Sequence, residues 1–407
     1  MPEPLIVDSW EMGIGLTKGL SHLMLHNFRN YQELDLVLQG CPVVLTGPNG
    51  AGKTNILEAI SFLSPGRGLR NVKLSQITNL KRINQENTRQ SSWTVVATIE
   101  SENGSVQLGT KLDYTASGNE RRLVKIDGQI AKSQASLTDY VSVIWVTPQM
   151  NQLFLEAASL RRKFVDRLVY ALDSSHATRI HRYDHHMRER SRLLKDEHYD
   201  PLWISTIERY LAEDGVAIAV ARQEVIKSVQ EAQRQEKTYP FPQFYAKMKG
   251  DVESWLEYLP ALAVEDMYTE KLKFCRRQDA DMGGASIGPH RSDFQVHHSA
   301  KQLPAELCST GEQKILLLAV VLAFSHVQEN YHICPTILLL DDVAAHLDDQ
   351  HRLVLFEEIC SPSSFSRDVP KGCFQAWVTG TDQSTFQGLY NRAQFLTVQN
   401  ATLTSGF

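Results

Sequence analysis

Residues 47–54 read Gly-Pro-Asn-Gly-Ala-Gly-Lys-Thr. Two glycines five positions apart, followed by Lys53 and Thr54, satisfy the phosphate-loop pattern. Val43, Val44 and Leu45 ahead of the loop form a short buried-strand signal, and Asn55–Phe62 behind it reads as a helix. A glycine-rich turn between strand and helix lets successive backbone N–H groups converge on phosphate oxygens without Cβ clashes. The positive end of the helix dipole points to the same place. Gly47, Pro48, Asn49, Gly50, Ala51, Gly52, Lys53 and Thr54 are therefore the candidate nucleotide-binding residues. Lys53 is placed to reach the β- and γ-phosphates of ATP, and the Thr54 hydroxyl to ligate Mg²⁺.

A second segment looks built to complete this one. Ile337–Leu340 is an apolar run ending in Asp341 and Asp342. It fits a buried parallel strand whose carboxyl end emerges beside the phosphates. Asp341 would hold Mg²⁺, directly or through water, and Asp342 would polarise the attacking water. Alone, the same run reads equally well as an ordinary core strand entering an acidic turn. A third segment, Ser309-Thr310-Gly311-Glu312-Gln313, stands ahead of the apolar stretch Ile315–Phe324. Ser309 and Glu312 are in capping-box spacing, so a helix starts here. A Ser hydroxyl, the Gly311 backbone and a helix N-terminus also make an anion-binding surface. Either a well-capped core helix or a second phosphate-reading surface satisfies the spacing. Alongside a phosphate loop, the second suggests ATP held between two copies of the chain.

Net charge is −5, which argues against wholesale coating of nucleic acid but leaves room for a local patch. Residues 161–195 carry ten basic and four acidic side chains, about +6 by formal count. Such a run is either a solvated helix face or a DNA contact through phosphates. Four histidines fall in the same stretch, His176, His181, His185 and His186, without ligand-spaced company. The six cysteines are scattered, with no CxxC pair, as reduced thiols of a cytosolic protein would be. The start carries Glu3, Asp8 and Glu11 and no apolar signal core, so no export is implied. The longest apolar run, Ile315–Phe324, is too short to cross a bilayer, and no membrane partner is expected.

Along the chain, 21–150 reads as mixed α/β followed by β. Trp93–Ile99, Val106–Leu112 and Leu123–Ile126 look like antiparallel strands around Asn103-Gly104 and Gly118-Asn119 turns. Ser64–Arg70 is a loop whose Arg67 and Arg70 either reach phosphate or a partner or, as exposed loop arginines usually do, reach neither. From 151 to 282 the pattern is helical: Ile204, Leu211, Ile218 and Val225 recur every seven residues, suggesting a short coiled-coil-like arm on neighbouring helices. Pro240 and Pro242 break it, and Asp281–Gly288 is a glycine-rich return. Residues 283–407 then rejoin the first lobe, making the helical section an insertion within one α/β ATPase head.

In this order, the segments resemble the ATP-binding-cassette ATPase superfamily, related to SMC-type heads, and within it the RecF family of bacterial DNA replication and repair proteins. His26–Tyr31 is similar to the family's NFRNY strand end, and Gly47–Ile60 to its phosphate loop and helix. Leu160–Asp166 resembles its RRRFLD helix, Gly288–Asp293 its GPHRDD segment, and Leu338–Asp349 its Walker B and D-loop stretch. The resemblance implies an ATPase head with an antiparallel β-layer over the nucleotide and an inserted helical lobe. It also implies an ATP-dependent homodimer in which Ser309 and Gly311 face the partner's γ-phosphate. DNA, single-stranded and gapped or double-stranded, is the implied partner, with RecR and nearby RecO helping load recombinase. There are departures: the signature reads Ser309–Lys314 rather than SQGQQR, and Ala345-His346 replace Ser-Glu in the D-loop. Glu312 is expected to turn back and cap its own helix. Gln149 stands where the family often has Glu and can ligate Mg²⁺ or water. Thr381 occupies the position of the transporters' His, and Asp342 is one methylene shorter than their catalytic Glu, which implies slow turnover.

The function read from these residues is an ATP-dependent DNA-binding repair protein, a weak ATPase acting as a switch, in the cytoplasm. The alternative is the ATPase subunit of a membrane transporter, against which Lys53 and Ser309 stand 256 positions apart. A small-molecule kinase would use the phosphate loop alone and leave the Ser309 segment unexplained.

Overall fold

The computed structural model describes residues 18–79, 92–196, 200–235, 241–331, 334–360 and 374–405. The first residues, for which no role is read, and Pro240 lie outside them. The chain forms two compact units, one of residues 1–150 and 328–407, the other of 151–327.

The first unit opens with β1 (Gly19–Phe28), β2 (Tyr31–Val37), β3 (Val43–Thr46) and helix α1 (Lys53–Ser61). Strands β4 (Thr94–Ser101), β5 (Gly104–Tyr114), β6 (Glu120–Ile126), β7 (Gln129–Ile130) and β8 (Ser142–Val146) follow. An antiparallel sheet runs β2-β1-β4-β5-β6-β7, its hairpins turning at Gly104 and Gly118 as their composition predicts. The second sheet is completed from the far end of the chain. It runs β15-β14-β3-β13-β12-β8, with β12 (Thr336–Leu340), β13 (Phe374–Gly380), β14 (Gln394–Gln399) and β15 (Thr402–Ser405). All neighbours are parallel except β14 and β15. Strands β3, β8 and β12 are nearly uninterrupted apolar runs, and β13 is buried after its first residue, because both faces are covered. The register pairs Thr46 with Gly380, and Leu340 with both Val378 and Val146. The loops after β3, β12, β13 and β8 therefore leave from one edge, the carboxyl edge where open α/β sheets bind ligands. Between the sheets, Phe62 and Phe28 sit 5.0 and 5.6 Å from the Trp93 ring. The Trp93 indole N–H donates to the Leu74 carbonyl at 2.8 Å, so this ring leaves no polar atom unpaired.

The second unit carries α2 (Ala158–Tyr170), α3 (His176–Leu193), α4 (Pro201–Gln235), β9 (Phe244–Lys249), α5 (Asp251–Leu256), α6 (Ala261–Phe274) and α7 (Arg276–Met282). It continues through β10 (Asp293–His298), β11 (Leu303–Pro304) and most of α8 (Thr310–Tyr331). The heptad residues Ile204, Leu211, Ile218 and Val225 are buried along α4, which lies against α3, α6 and β9. They make α4 the spine of this unit rather than an arm. The return boundary expected at 283 falls instead at 327. The reason is strand pairing: β10 runs antiparallel to β9, Phe294 opposite Met248, and so keeps the segment after the glycine-rich turn in the helical unit. The last α-helix, α9 (Asp349–Cys360), belongs to the first unit.

By length and composition alone, Thr310–Gln328 of α8 is apolar enough to cross a membrane, more than its central run suggests, yet 72% of it is buried inside the protein. That is the pattern of a core helix.

Candidate functional site

In the first unit, β3 ends at Thr46, the chain turns through residues 47–52, and α1 starts at Lys53. The turn needs its glycines. Gly47 has φ +141°, and a Cβ there would lie 2.2 Å from the Val398 carbonyl. A Cβ on Gly52, φ +122°, would meet Asn30 Nδ2 at 2.6 Å and the Tyr31 hydroxyl at 2.7 Å. The Lys53 ammonium is curled over the loop, donating to the carbonyls of Gly47 at 2.6 Å and Pro48 at 3.0 Å. Burial pulls its pKa down, and the carboxylates of Asp342 and Asp341 pull it back up.

Asp341 faces the loop from the end of β12. Thr54 Oγ1 donates to it, at 2.9 Å from Oδ1 and 3.1 Å from Oδ2. Burial pushes the Asp341 pKa up, against hydrogen bonds from Thr379 and Thr54. A buried carboxylate paired only with hydroxyls is a group that a divalent cation would relieve. Thr54 Oγ1 and Asp341 together offer the hard oxygen donors that Mg²⁺ accepts alongside phosphate. Among the described residues, no cluster of three or more His, Cys, Asp or Glu is placed to hold a metal by itself. The site thus fits Mg²⁺ arriving with a nucleotide.

Asp342 follows with φ +51°, a left-handed conformation unusual outside glycine. Thr379, on β13, fixes it there. Its Oγ1 accepts the Asp342 N–H at 2.8 Å and donates to Asp341 Oδ1 at 2.9 Å. Thr379 was not legible as a site residue; Thr381, two positions on, is exposed and does not line the pocket. Asn49, Gly50, Gly52, Lys53, Thr54, Asn55, Arg70, Pro148, Asp341, Asp342 and Thr379 line a cavity of about 360 Å³. That is within the size range of small-molecule sites.

The Asn-Phe-Arg-Asn-Tyr segment at the β1–β2 turn supports the loop from behind. Asn30 Nδ2 donates to the Ala51 carbonyl at 3.0 Å, and the Tyr31 hydroxyl to the Gly52 carbonyl at 3.2 Å. Arg29, itself at φ +53°, grips Glu58 of α1 at 2.6 and 2.8 Å. Glu58 is fully buried and also takes Arg70 at 3.1 Å. The loop that carries Arg70 is therefore docked onto α1, with Arg70 in the pocket wall.

Not every predicted residue joins this pocket. Pro148 lines it, but Gln149 is exposed and does not. Ser309 and Gly311 belong to the second unit, exposed at the start of α8, and are absent from the pocket lining. The capping box there is formed: the Ser309 N–H donates to Glu312 Oε2 at 2.9 Å, and the Glu312 N–H to Ser309 Oγ at 3.4 Å. Glu312 also pairs with Lys301, and these bonds hold its pKa down to about 2. Glu312 thus caps its own helix, as expected.

A parallel sheet with a phosphate loop and a carboxylate-ended strand on one edge, under an antiparallel layer, is the head of a P-loop ATPase of ATP-binding-cassette type. The RecF/RecN/SMC N-terminal domain model matches residues 19–391. The DNA replication and repair protein RecF of Mesorhizobium japonicum is 41% identical over 388 residues, 94% of this chain and 97% of that one. RecF of Agrobacterium fabrum is 41% identical over 95% and 98% of the two chains, and RecF of Rhizobium etli 40% over 93% and 96%. Solved structures of the recombination mediator protein RecF in the RecFOR pathway, as RecF-ATP and RecF-ATPrS, share the fold with TM-score 0.78 at 20% identity. They cover 98% and 96% of this chain, and 100% and 98% of their own. The chain belongs to the RecF family of DNA replication and repair proteins. Likeness to RecF over nearly the whole length does not favour a transporter subunit.

Proposed function

We propose that this chain is an ATP-operated DNA clamp acting in replication and recombinational repair. ATP would sit on residues 47–54, and Thr54 and Asp341 would hold Mg²⁺, which would supply positive charge to the phosphates. Two copies close head to tail, each presenting Ser309 and Gly311 to the other's γ-phosphate. Closure tightens the hold on single-stranded and gapped or double-stranded DNA, and slow hydrolysis, with Asp342 orienting the water, releases it. Gln149, exposed here, joins only if closure turns it inward. By kinship with proteins of the RecFOR pathway, RecR and then RecO are the partners that use the clamped state to load recombinase.

The observation that carries this reading is the pairing of Lys53, Thr54, Asp341, Asp342 and Thr379 in one pocket with an exposed, capped helix start at Ser309–Gly311. An added Cβ at Gly311 would meet nothing within 4 Å, so the backbone there is open to another molecule. Sedimentation of the full chain with and without ATP–Mg²⁺, then with gapped duplex at several salt concentrations, tests it. Nucleotide-dependent doubling of mass and tighter DNA binding support the clamp. A chain that stays monomeric with saturating ATP on DNA removes it.

A further inference from the structure

The basic run 161–195 divides sharply in the folded second unit. Much of it is committed internally: Arg161 to Asp293 at 2.7 Å, Arg190 to Glu208 at 3.0 Å and Asp279 at 2.8 Å. Arg179 and Arg182 are likewise tied to Asp173 and Asp214. The end of the run differs. Arg188, Arg192 and Lys195 follow one another at four- and three-residue spacing along the last turns of α3 and just past it, so they share a face. All three are exposed, as is Arg291 from the loop before β10. None of the four makes an ion pair among the described residues. Together they line a concavity of about 450 Å³ whose wall includes no acidic side chain.

Cations at a helix C-terminus complement the dipole, and that alone would account for Arg192 and Lys195. It does not account for Arg291, which comes from another segment and is held in place. Arg291 Nε donates to the Ala285 carbonyl at 3.2 Å. Beside it, His290 Nδ1 accepts from the Tyr183 hydroxyl at 2.8 Å, and its Nε2 donates to the Ala285 carbonyl at 3.0 Å. Burial drives the His290 pKa down to about 4, so the ring stays neutral and keeps both bonds. A Cβ on Gly288 would fall 2.1 Å from the Tyr268 hydroxyl and 2.4 Å from that of Tyr183. The loop is thus clamped onto α3 and α6, and Arg291 is preorganised opposite α3.

We propose that this concavity is a phosphate-binding groove for the backbone of duplex DNA, gripped by Arg188, Arg192, Lys195 and Arg291. It rests on the DNA-binding reading above and gives it an address. From Arg188 to Lys195 the helix advances about 10 Å. A DNA strand sets a phosphate about every 3.4 Å of axis, so the row spans about three. No Phe, Tyr or Trp lines the concavity, and His290 is committed to its bonds. Without a ring for bases to stack on, the groove suits a duplex backbone better than a single strand.

The test is duplex binding by the full chain with ATP–Mg²⁺, followed by fluorescence anisotropy across a salt series. Combining Arg192→Gln, Lys195→Gln and Arg291→Gln should weaken duplex binding on the order of tenfold or more and flatten the log–log salt slope by about 0.9 per lost contact. ATP affinity and the urea midpoint should stay at wild-type values, as should DNA binding in the control Lys227→Gln on α4. The charge-conserving pair Arg192→Lys and Arg291→Lys should keep the slope. If the wild type binds duplex and the triple variant binds equally well with the same slope, the groove is overturned and the clamp survives. A wild type that binds no duplex at any salt sinks both. Loss of inorganic tripolyphosphate binding in the triple variant, with duplex binding intact, would make this a small-anion site and also overturn the proposal.

Discussion

At the scale of single residues, the candidate site depends on polar atoms held by partners distant in sequence. Lys53 is the main cation of the pocket, so Lys53→Ala leaves phosphate charge unpaired. ATP affinity by calorimetry should fall on the order of a hundredfold with the fold unchanged by circular dichroism. Thr379 is subtler. Thr379→Val keeps the shape of the side chain but orphans the Asp342 N–H and removes a donor from Asp341. Single-turnover hydrolysis should slow about tenfold or more, because small misplacements of reacting groups are costly, while ATP affinity changes little. In the second unit, Asp166 is buried and pinned by Arg222 at 2.7 and 2.9 Å and by His176 at 3.0 Å. Burial alone would raise its pKa; Arg222 and His176 reverse the sign and hold it low. Its stabilising contribution is therefore full above the ordinary carboxylate range and is lost as pH falls through the depressed value. Arg222→Leu should cost about 3–5 kcal/mol in urea unfolding at neutral pH. The part of the acid-induced loss of stability due to this pair should be missing from the variant.

At the scale of elements, what was readable in the sequence was what neighbours in sequence decide. The phosphate loop, the α8 capping box, the hairpin turns at Gly104 and Gly118 and the four buried heptad residues of α4 are all short-range patterns, and each forms an element where it was read. Thr379 and the Asn30–Tyr31 buttress were invisible as site residues because their partners lie tens of positions away and no local spacing announces them. The boundary near 283 failed for the same reason. A glycine-rich turn signals a break, but only the pairing of β10 with β9 shows to which unit the next strand goes. The charge count over 161–195 misled in its own way, since formal charge does not distinguish Arg190, sealed between Glu208 and Asp279, from an exposed Arg192. For α4, Leu211→Ala should destabilise the second unit by about 2–5 kcal/mol, measurable as a shift in its urea transition.

At the scale of the whole molecule, the proposed clamp makes Ser309 a contact between copies as well as a cap. Ser309→Arg should leave ATP binding by the monomer within about threefold of wild type, since the cap is worth only about 1 kcal/mol and the nucleotide pocket lies in the other unit. It should abolish nucleotide-driven doubling in sedimentation; an unchanged dimer would refute the role given to that helix start. The parallel sheet carries one more consequence. β3, which delivers the phosphate loop, is flanked on both sides by strands from the far end of the chain, β13 and β14. While the ribosome is still making the protein, the loop has been translated long before either flank exists. A nascent chain, or one cut short by a stop codon before Phe374, would carry residues 47–54, Asp341 and Asp342 yet lack Thr379 and both strands that flank the loop. Competence would arrive only with the final strands, so unfinished copies would be kept out of the proposed clamp.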